Sequence, residues 1–242
     1  MRYSIIIPTL NEEKLLPNLL KLLSHQELKK KYDYEIIVSD GGSKDCTIEI
    51  ASKYADIVKI HSKPGKQNIA MGRNCGTHCA NGDIFIFINA DVIIPDLNYF
   101  FDFIETKFNN HNYLAMTCKV KVFPEEEILW DKLFHSGYNL YFRLLNNIGV
   151  GMGRGECQII RREIFTKVCG YCEQLAAGED FDLFMKIRRF GKILYATDVC
   201  VYESPRRFRK FGYKGVTFSW IRNSLSVLLL NKSLSKEWEQ VR

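Results

Sequence analysis

A run of five apolar residues, Ile84 to Ile88, most limits what this chain can fold into. The run contains only isoleucine and phenylalanine, and it leads directly into the polar sequence Asn89-Ala90-Asp91. Continuous β-branched and aromatic residues over this length are typical of a strand buried on both faces of a parallel sheet. In open α/β sheets, ligands bind outside the carboxyl ends of the strands. The run therefore predicts a central strand that carries Asp91 to a ligand site, while a simple turn remains the alternative for this aspartate.

The segments before this run alternate between strand and helix patterns. Strand patterns at 2–7, 34–39 and 57–60 are separated by segments with helical patterns. This alternation predicts an α/β chain with a doubly wound, mostly parallel sheet. Pro8 is expected to end the first strand, because proline cannot donate a hydrogen bond within a central sheet.

Two nucleotide-binding motifs are missing from the sequence. It contains neither G-x-G-x-x-G after the first strand nor G-x-x-x-x-G-K-[ST] anywhere, which argues against a dinucleotide dehydrogenase and a P-loop nucleotidase. The loop Thr9-Leu10-Asn11-Glu12 after the first strand is acidic, whereas a sugar nucleotidyltransferase carries a glycine-rich basic loop there. Thr9 and Glu12 also have the spacing of a helix capping box, which is the structural alternative for Glu12.

The second half of the sequence is less regular. The alternating pattern over 114–123 predicts a strand of edge type, and 125–145 predicts a long helix. Four alternate glycines between 149 and 155 are interpreted as a loop that enters a strand at 157–160, rather than as a phosphate cradle. Glu179 and Asp180 follow Gly178 and open a helix, where carboxylates also stabilise the helix dipole.

The eight cysteines do not form a recognisable metal or disulfide pattern. Cys169 and Cys172 have C-x-x-C spacing, but they do not open a helix after a strand, and no further ligands follow at convincing spacing. We therefore expect reduced thiols and a cytoplasmic location. No run approaches the roughly 20 apolar residues that a membrane-spanning helix needs, and no signal peptide is expected, because Pro8 interrupts the first apolar run.

Positive charge is concentrated at the end of the chain. Residues 204–242 contain nine Lys and Arg against two Glu, a net charge of +7, while the remainder has 25 basic and 26 acidic residues, a net charge of −1. Within this tail, four apolar residues recur at helical spacing and form what we call the tail stripe: Phe218, Ile221, Leu225 and Leu228. A basic amphipathic helix of this kind either lies on an anionic membrane surface or docks on the protein body.

Four segments, taken together and in order, resemble the family 2 glycosyltransferases, which have the GT-A nucleotide-sugar-binding fold. The segments are SIIIPTLNEEKLLPNLL, IIVSDGGSKDCT, GRNCGTHCANGDIFIFINADV and GEDFDLFMKIRRFGK. They span roughly the first 195 residues. The resemblance implies a GT-A domain over 1–203, with a nucleotide-sugar-binding half at 1–95, an acceptor half at 96–203, and a basic amphipathic tail at 204–242.

The resemblance also implies roles for particular residues. The nucleoside and diphosphate of the donor would be bound by Pro8, Thr9, Asn11, Glu12, Asp40, Gly42, Arg73, Asn89, Ala90, Arg206 and Arg207. Asp180 would be the catalytic base, with Glu179 beside it. The family's D-x-D motif would bind a divalent cation, Mn²⁺ or Mg²⁺, through Asp91 and Asn89. Here Asn89 replaces the first aspartate, and because its amide oxygen carries no charge, the cation should be held more weakly.

The implied reaction is sugar transfer from a UDP- or GDP-sugar to an acceptor hydroxyl, with inversion at the anomeric carbon. The expected acceptor is a saccharide or a lipid-linked molecule, with an anionic membrane surface as a further partner and no nucleic acid. The tail further suggests a peripheral location at the inner face of the membrane. Two alternatives remain open. One is a polyprenyl-phosphate sugar synthase, whose acceptor is a lipid phosphate, and the other is a degenerate module that binds a nucleotide sugar without turning it over.

Overall fold

The computed structural model describes residues 2–62, 65–230, 232–235 and 241, so part of the predicted basic loop at 63–66 and much of the end of the tail lie outside the described residues. The described strands form one sheet in the order β3-β2-β1-β4-β7-β6-β8-β5. The strands are β1 (Tyr3–Thr9), β2 (Tyr34–Asp40), β3 (Ile57–Ile60), β4 (Ile84–Ile88), β5 (Val92–Ile93), β6 (Tyr113–Val122), β7 (Cys157–Arg161) and β8 (Lys192–Glu203).

Helices pack on both faces of this sheet. The α-helices are α1 (Leu16–Leu23), α2 (Gln26–Tyr32), α3 (Thr47–Tyr54), α4 (Ile69–Thr77), α5 (Leu97–Phe103), α6 (Leu129–Asn147), α7 (Arg162–Lys167), α8 (Glu179–Arg188) and α9 (Arg206–Leu230). A short π-helix (Ile104–Asn109) continues α5. Helix α1 packs into one hydrophobic core and α8 into another, and the alternate residues of β4 point into the two cores. The predicted doubly wound arrangement is therefore confirmed.

Strand β4 is the buried central strand that its sequence predicts. All five of its residues are buried, and it pairs in parallel with β1 and antiparallel with β7. The sheet is parallel from β3 through β4. It becomes mixed beyond β4, because β7 runs antiparallel to both of its neighbours. Asn89, Ala90 and Asp91 thus follow the carboxyl end of a central strand.

Two local predictions need correction. Strand β1 continues through Pro8 to Thr9, and this is possible because pairing with β4 reaches only Ile6 while pairing with β2 continues. Strand β6 lies between β7 and β8 rather than at an edge. Its register with β7 covers Ala115–Thr117, whereas its register with β8 runs on to Val122. The alternating lysines that suggested an edge lie in this second part.

The tail forms helix α9, which is kinked at Gly212, where φ is 68°. Val216, Asn223 and Val227 are the buried side of its second part. The tail stripe lies on a different side, and each of its four residues is more than half exposed. The alternative in which the tail stripe itself docks on the body is therefore wrong, although the helix does dock. Of the helices that the structure describes, none has the length and apolar character needed to cross a membrane.

Candidate active site

A cavity of about 1130 Å³ opens beyond the carboxyl ends of β1 and β4. It gathers most of the residues that the sequence analysis selected, although they come from five separate parts of the chain. The predicted residues that line it are Pro8, Thr9, Glu12, Arg73, Asn89, Ala90, Asp91, Glu179, Asp180, Arg206 and Arg207. Asn11, Asp40 and Gly42 do not belong to this lining.

Asp40 lies behind the cavity wall, where it organises the turn after β2. Its side chain is fully buried, and Oδ1 accepts hydrogen bonds from the backbone N–H groups of Gly42 (2.9 Å) and Ser43 (2.7 Å). Its Oδ2 accepts a hydrogen bond from the Thr9 hydroxyl at 2.8 Å. Gly42 has φ of 91°, a conformation that favours glycine. Asp40 therefore shapes the loop whose Gly41 faces the cavity.

Asn11 joins the loop after β1 to the loop after β2. Its backbone N–H donates to the Ser43 hydroxyl at 2.8 Å, and its Oδ1 accepts from the Lys44 N–H at 2.8 Å. Its φ of 54° lies in the left-handed region, which asparagine tolerates better than most residues. Asn11 thus supports the wall from behind, just as Asp40 does.

Glu12 is not a helix cap, because α1 begins only at Leu16. Its carboxylate is buried and accepts two hydrogen bonds from Arg206, at 3.0 Å from Nη1 and 2.8 Å from Nη2. The same Nη2 donates to Asp91 Oδ2 at 2.9 Å. Arg206 therefore bridges the acidic loop after β1 and the carboxylate after β4. Bidentate arginine–carboxylate pairs are among the stronger hydrogen-bonded pairs, so this contact holds the start of α9 over the site.

Arg73 is the second guanidinium of the site, and its side chain is almost completely buried. Its Nη1 donates to Glu179 Oε1 at 2.9 Å. Its Nη2 donates to Asn89 Oδ1 at 3.1 Å and to the Gly155 carbonyl at 2.8 Å. Four segments of the chain thus meet at this one side chain, while no described residue accepts from its Nε.

Both residues of the predicted cation site line the cavity, and each accepts a hydrogen bond from an arginine. Arg73 donates to Asn89 Oδ1, and Arg206 donates to Asp91 Oδ2. Within the described residues, no group of three or more His, Cys, Asp or Glu side chains is arranged to hold a metal, and this includes Cys169 and Cys172, which are free thiols. Mg²⁺ is commonly held by one or two carboxylates together with substrate phosphates. The residues present fit a cation held mainly by Asp91.

Glu179 and Asp180 are adjacent in sequence but face different surroundings. Glu179 is buried against Arg73, whereas Asp180 keeps part of its surface in the cavity. Asp180 Oδ1 accepts a hydrogen bond from the Phe181 N–H at 2.8 Å. Gly155 leaves the room that both charged groups need, because a Cβ there would lie 3.1 Å from Arg73 Nη2 and 3.4 Å from Asp180 Oδ2.

Burial and, to a smaller extent, the negative charge of Glu179 raise the pKa of Asp180 to about 7, while the positive charge of Arg73 opposes this rise. A carboxylate with a pKa near neutrality is a stronger base than an ordinary aspartate, and it is still substantially ionised at neutral pH. The site therefore contains a carboxyl group suited to accepting a proton from a molecule in the cavity.

A buried charge cluster in the same cavity was not predicted from the sequence. Arg154 donates from Nε to Glu156 Oε2 at 3.2 Å and from Nη2 to Glu203 Oε1 at 3.1 Å. Burial raises the pKa of Glu203 well above its ordinary value, and the charge of Glu156 adds to the effect. One available signal was the position of Glu203, which directly precedes the Ser-Pro-Arg-Arg segment that contributes Arg206.

The sheet and the charged cavity at its carboxyl edge define a GT-A fold of the kind found in nucleotide-sugar transferases. The chain belongs to glycosyl transferase family 2, whose family model matches residues 4–169. The expected resemblance and the expected GT-A fold are thereby confirmed.

Among curated proteins, the O-antigen chain rhamnosyltransferase RfbN of Salmonella typhimurium is 26% identical over 242 residues, covering 89% of this chain and 72% of RfbN. The poly(ribitol-phosphate) β-N-acetylglucosaminyltransferase TarS of Staphylococcus aureus is 32% identical over 96 residues. That match covers 38% of this chain but only 16% of TarS. The chain therefore spans most of one relative and a small part of the other.

Solved structures show the same fold at low sequence identity. The mannosyltransferase PcManGT of Pyrobaculum calidifontis, in complex with GDP-Man and Mn²⁺, superposes with a TM-score of 0.67 at 20% identity, covering 84% of this chain and 56% of its own. Residues 1–349 of S. aureus TarS, in complex with UDP-GlcNAc, superpose with a TM-score of 0.64 at 20% identity. That match covers 98% of this chain and 68% of the TarS chain.

Proposed function

We propose that this protein transfers a sugar from a UDP- or GDP-sugar to an acceptor hydroxyl, with inversion at the anomeric carbon. The observation that carries this proposal is Asp180, a carboxyl group that faces the cavity and has a pKa raised to about 7. A hydroxyl must lose a proton as it attacks, and a general base with a pKa near the working pH removes it most effectively. The membership of family 2 supports sugar transfer as the reaction.

In this proposal the donor binds along residues 1–95, against the loops that Asn11, Asp40 and Gly42 support. Similar structures have been solved with GDP-Man or UDP-GlcNAc, which makes UDP- and GDP-sugars the first donors to test. The acceptor binds along residues 96–203, and the 204–242 tail contributes Arg206 and Arg207 to the donor diphosphate. Negative charge develops on this diphosphate as the sugar leaves, and guanidinium groups placed beside it stabilise the transition state.

A divalent cation would be held by Asp91 together with the donor, with Asn89 as a weaker second ligand. When bound, such a cation acts as a Lewis acid that neutralises charge on the leaving diphosphate. The protein's own part is to hold Asp91 at the end of β4 and to supply Arg206, which already pairs with Asp91 at 2.9 Å. In this proposal Arg73 is a positioning residue, because its hydrogen bonds hold Glu179 and Asn89 in place around the cavity.

One experiment distinguishes the proposed function from two other functions. A polyprenyl-phosphate sugar synthase uses an anionic phosphate as acceptor and needs no strong base, whereas a degenerate module binds donor without consuming it. UDP- and GDP-sugars should therefore be incubated with the protein alone, with a lipid phosphate, and with alkyl glycosides, with and without Mn²⁺. Release of UDP or GDP stimulated by hydroxyl acceptors, and a product of inverted anomeric configuration by NMR, supports the proposal. Donor that binds but is never consumed points to the binding module.

We expect Asp91→Asn to abolish Mn²⁺-dependent donor binding, because it removes the charged protein ligand of the cation. Asn89→Asp should tighten Mn²⁺ binding, since it adds a negative charge beside Asp91. Calorimetric titration of Mn²⁺ in the presence of UDP or GDP measures both effects without depending on turnover. If the wild-type protein binds donor and turns it over equally well in EDTA, the cation plays no part and this prediction is wrong.

A further inference from the structure

The large cavity has a second region, lined by apolar side chains of α6 and α9. On α6 the lining residues include Leu133, Gly137, Tyr141 and Leu145, which recur every four residues and so share one face of the helix. On α9 the lining residues include three members of the tail stripe: Ile221, Leu225 and Leu228. We call this region the α6–α9 groove.

The floor of the groove is aromatic and joins the two helices. Tyr138 of α6 packs edge-on against Trp220 of α9 with 5.2 Å between ring centroids, and Phe134 packs against Phe208 at 5.1 Å. The walls above this floor are exposed, since Leu133, Tyr141, Ile221, Leu225 and Leu228 are each between 51% and 55% accessible. Because these exposed apolar side chains line one groove rather than being scattered over the surface, they favour an interaction site.

The groove is continuous with the candidate active site. The same cavity is lined by the carboxylates of Asp180 and Asp91 and by the apolar side chains of Leu225 and Leu228. A molecule in the groove therefore shares its cavity with the proposed catalytic base. Ligand pockets typically combine a mostly apolar lining with a few polar groups that orient the reacting part of the ligand.

We propose that the acceptor is an amphiphile, whose hydroxyl-bearing head lies at Asp180 and whose apolar chain lies in the α6–α9 groove. This inference rests on the proposed function, since it names the acceptor class of that site. The geometry favours the apolar chain of an amphiphile as the occupant of the groove, because the apolar walls form a concave surface that is continuous with the candidate active site. A membrane surface or a second protein copy would cover only the outer rim of the groove. Neither would explain why the groove is continuous with the candidate active site.

Chain length provides the first test. Glucose and its octyl, decyl and dodecyl β-glucosides, each below its critical micelle concentration, should be titrated into the 242-residue protein, and binding should be followed by calorimetry. Burial of one methylene is worth about 0.8 kcal/mol, so affinity should rise by about two- to fourfold for each methylene that enters the groove. Glucose alone should bind far more weakly than the dodecyl glucoside.

Gly137 provides the second test, because it is the gap in the α6 lining. A Cβ placed there meets no atom within 4 Å, so Gly137→Phe can fill the groove without a clash at its own backbone. This variant should lose at least about tenfold in affinity for dodecyl glucoside, which is the gain expected from only a few methylenes. Ser136→Phe is the matched control, because it adds the same side chain to an exposed neighbour on α6 that does not line the cavity. Thermal unfolding of both variants checks that they fold.

Four results would overturn the inference. The first is an affinity that does not depend on the length of the alkyl chain, and the second is an equal loss of affinity for dodecyl glucoside in Gly137→Phe and Ser136→Phe. The third is a dimer of the wild-type protein that Gly137→Phe dissociates, and the fourth is binding to phosphatidylglycerol vesicles without binding to monomeric glucosides. The last two would assign the apolar surface to a second copy or to a membrane. Binding of UDP- and GDP-sugars is measured separately. If no donor binds while the dependence on alkyl-chain length persists, the proposed function fails and the amphiphile is not an acceptor, although the groove still binds its alkyl chain.

Discussion

Asp180→Asn is expected to lower turnover by about 10²–10⁴-fold, the usual contribution of a general base. The substitution keeps the size of the side chain but removes its ability to accept the acceptor's proton. Donor affinity should be retained, because the ion pairs of Arg206 with Glu12 and Asp91 do not involve Asp180. The measurement is steady-state kinetics with the best donor and hydroxyl acceptor, together with separate titration of the donor.

The pH dependence of turnover tests the same role of Asp180. Since burial raises the pKa of Asp180 to about 7, turnover by the wild-type protein should rise with pH and level off above neutrality, as the carboxylate form becomes dominant. Asp180→Asn should lack this rise. Near-normal turnover in the variant would remove Asp180 from the base role and favour a phosphate acceptor, which has no proton to lose.

The contribution of Asp180 to the stability of the wild-type protein should fall as the pH rises, whereas turnover should increase. A carboxyl group whose pKa is raised on folding stabilises the folded state below its unfolded pKa, and this stabilisation is lost as the pH rises to its folded pKa. For Asp180 this interval runs from its ordinary value of 3.8 to about 7. Asp180→Asn removes the cost of burying an ionised carboxylate, so its melting temperature relative to the wild type should be higher at pH 8 than at pH 4.

Glu179→Gln should reduce turnover less than Asp180→Asn, because the Glu179 carboxylate is directed at Arg73.

Arg73→Met is expected to lower the free energy of unfolding by about 3–5 kcal/mol, the usual cost of removing one partner of a buried ion pair. The variant leaves the Glu179 carboxylate buried without its cation, and it also removes donors to Asn89 and to the Gly155 carbonyl. Urea unfolding at neutral pH measures the loss. Adding Glu179→Gln to the variant should restore part of it, since the second change removes the uncompensated charge.

Arg2→Met is a suitable control for this experiment. Arg2 pairs with Glu105 at the surface, and its side chain is 55% exposed. Exposed ion pairs contribute only about 0–1 kcal/mol, because water and salt screen them. If Arg73→Met costs no more than Arg2→Met, Arg73 does not hold the site together in the way its contacts indicate.

The part of the site closest to the strands was predictable from the sequence. A run such as Ile84–Ile88 has few alternatives to a buried strand, and the polar residues directly after it must then lie at the carboxyl edge of the sheet. The resemblance to the family, rather than this strand pattern, implied that Thr9 and Glu12 belong to the site. Different surroundings for Glu179 and Asp180 also follow from local geometry, because adjacent residues of a helix do not share a face.

Pairings between distant residues were decided only by the tertiary structure. Arg206 is 194 residues from Glu12 and 115 from Asp91, and Arg73 is 106 residues from Glu179, so no local pattern connects them. For the same reason the sequence could not show that Asn89 faces Arg73, or that Asp40 is satisfied within its own turn and lies off the cavity wall.

The tail shows most clearly where sequence reasoning ends. The spacing of Phe218, Ile221, Leu225 and Leu228 correctly indicated one apolar side of a helix, since helical periodicity depends only on local order. Which side of the helix is buried depends on what the rest of the chain brings next to it. Here Val216, Asn223 and Val227 meet the body, and α6 supplies the facing wall of a groove. The amino-acid order therefore determined that an amphipathic helix forms, whereas the packing of α6 and α9 around one cavity decided which face of the helix stays exposed beside the candidate active site.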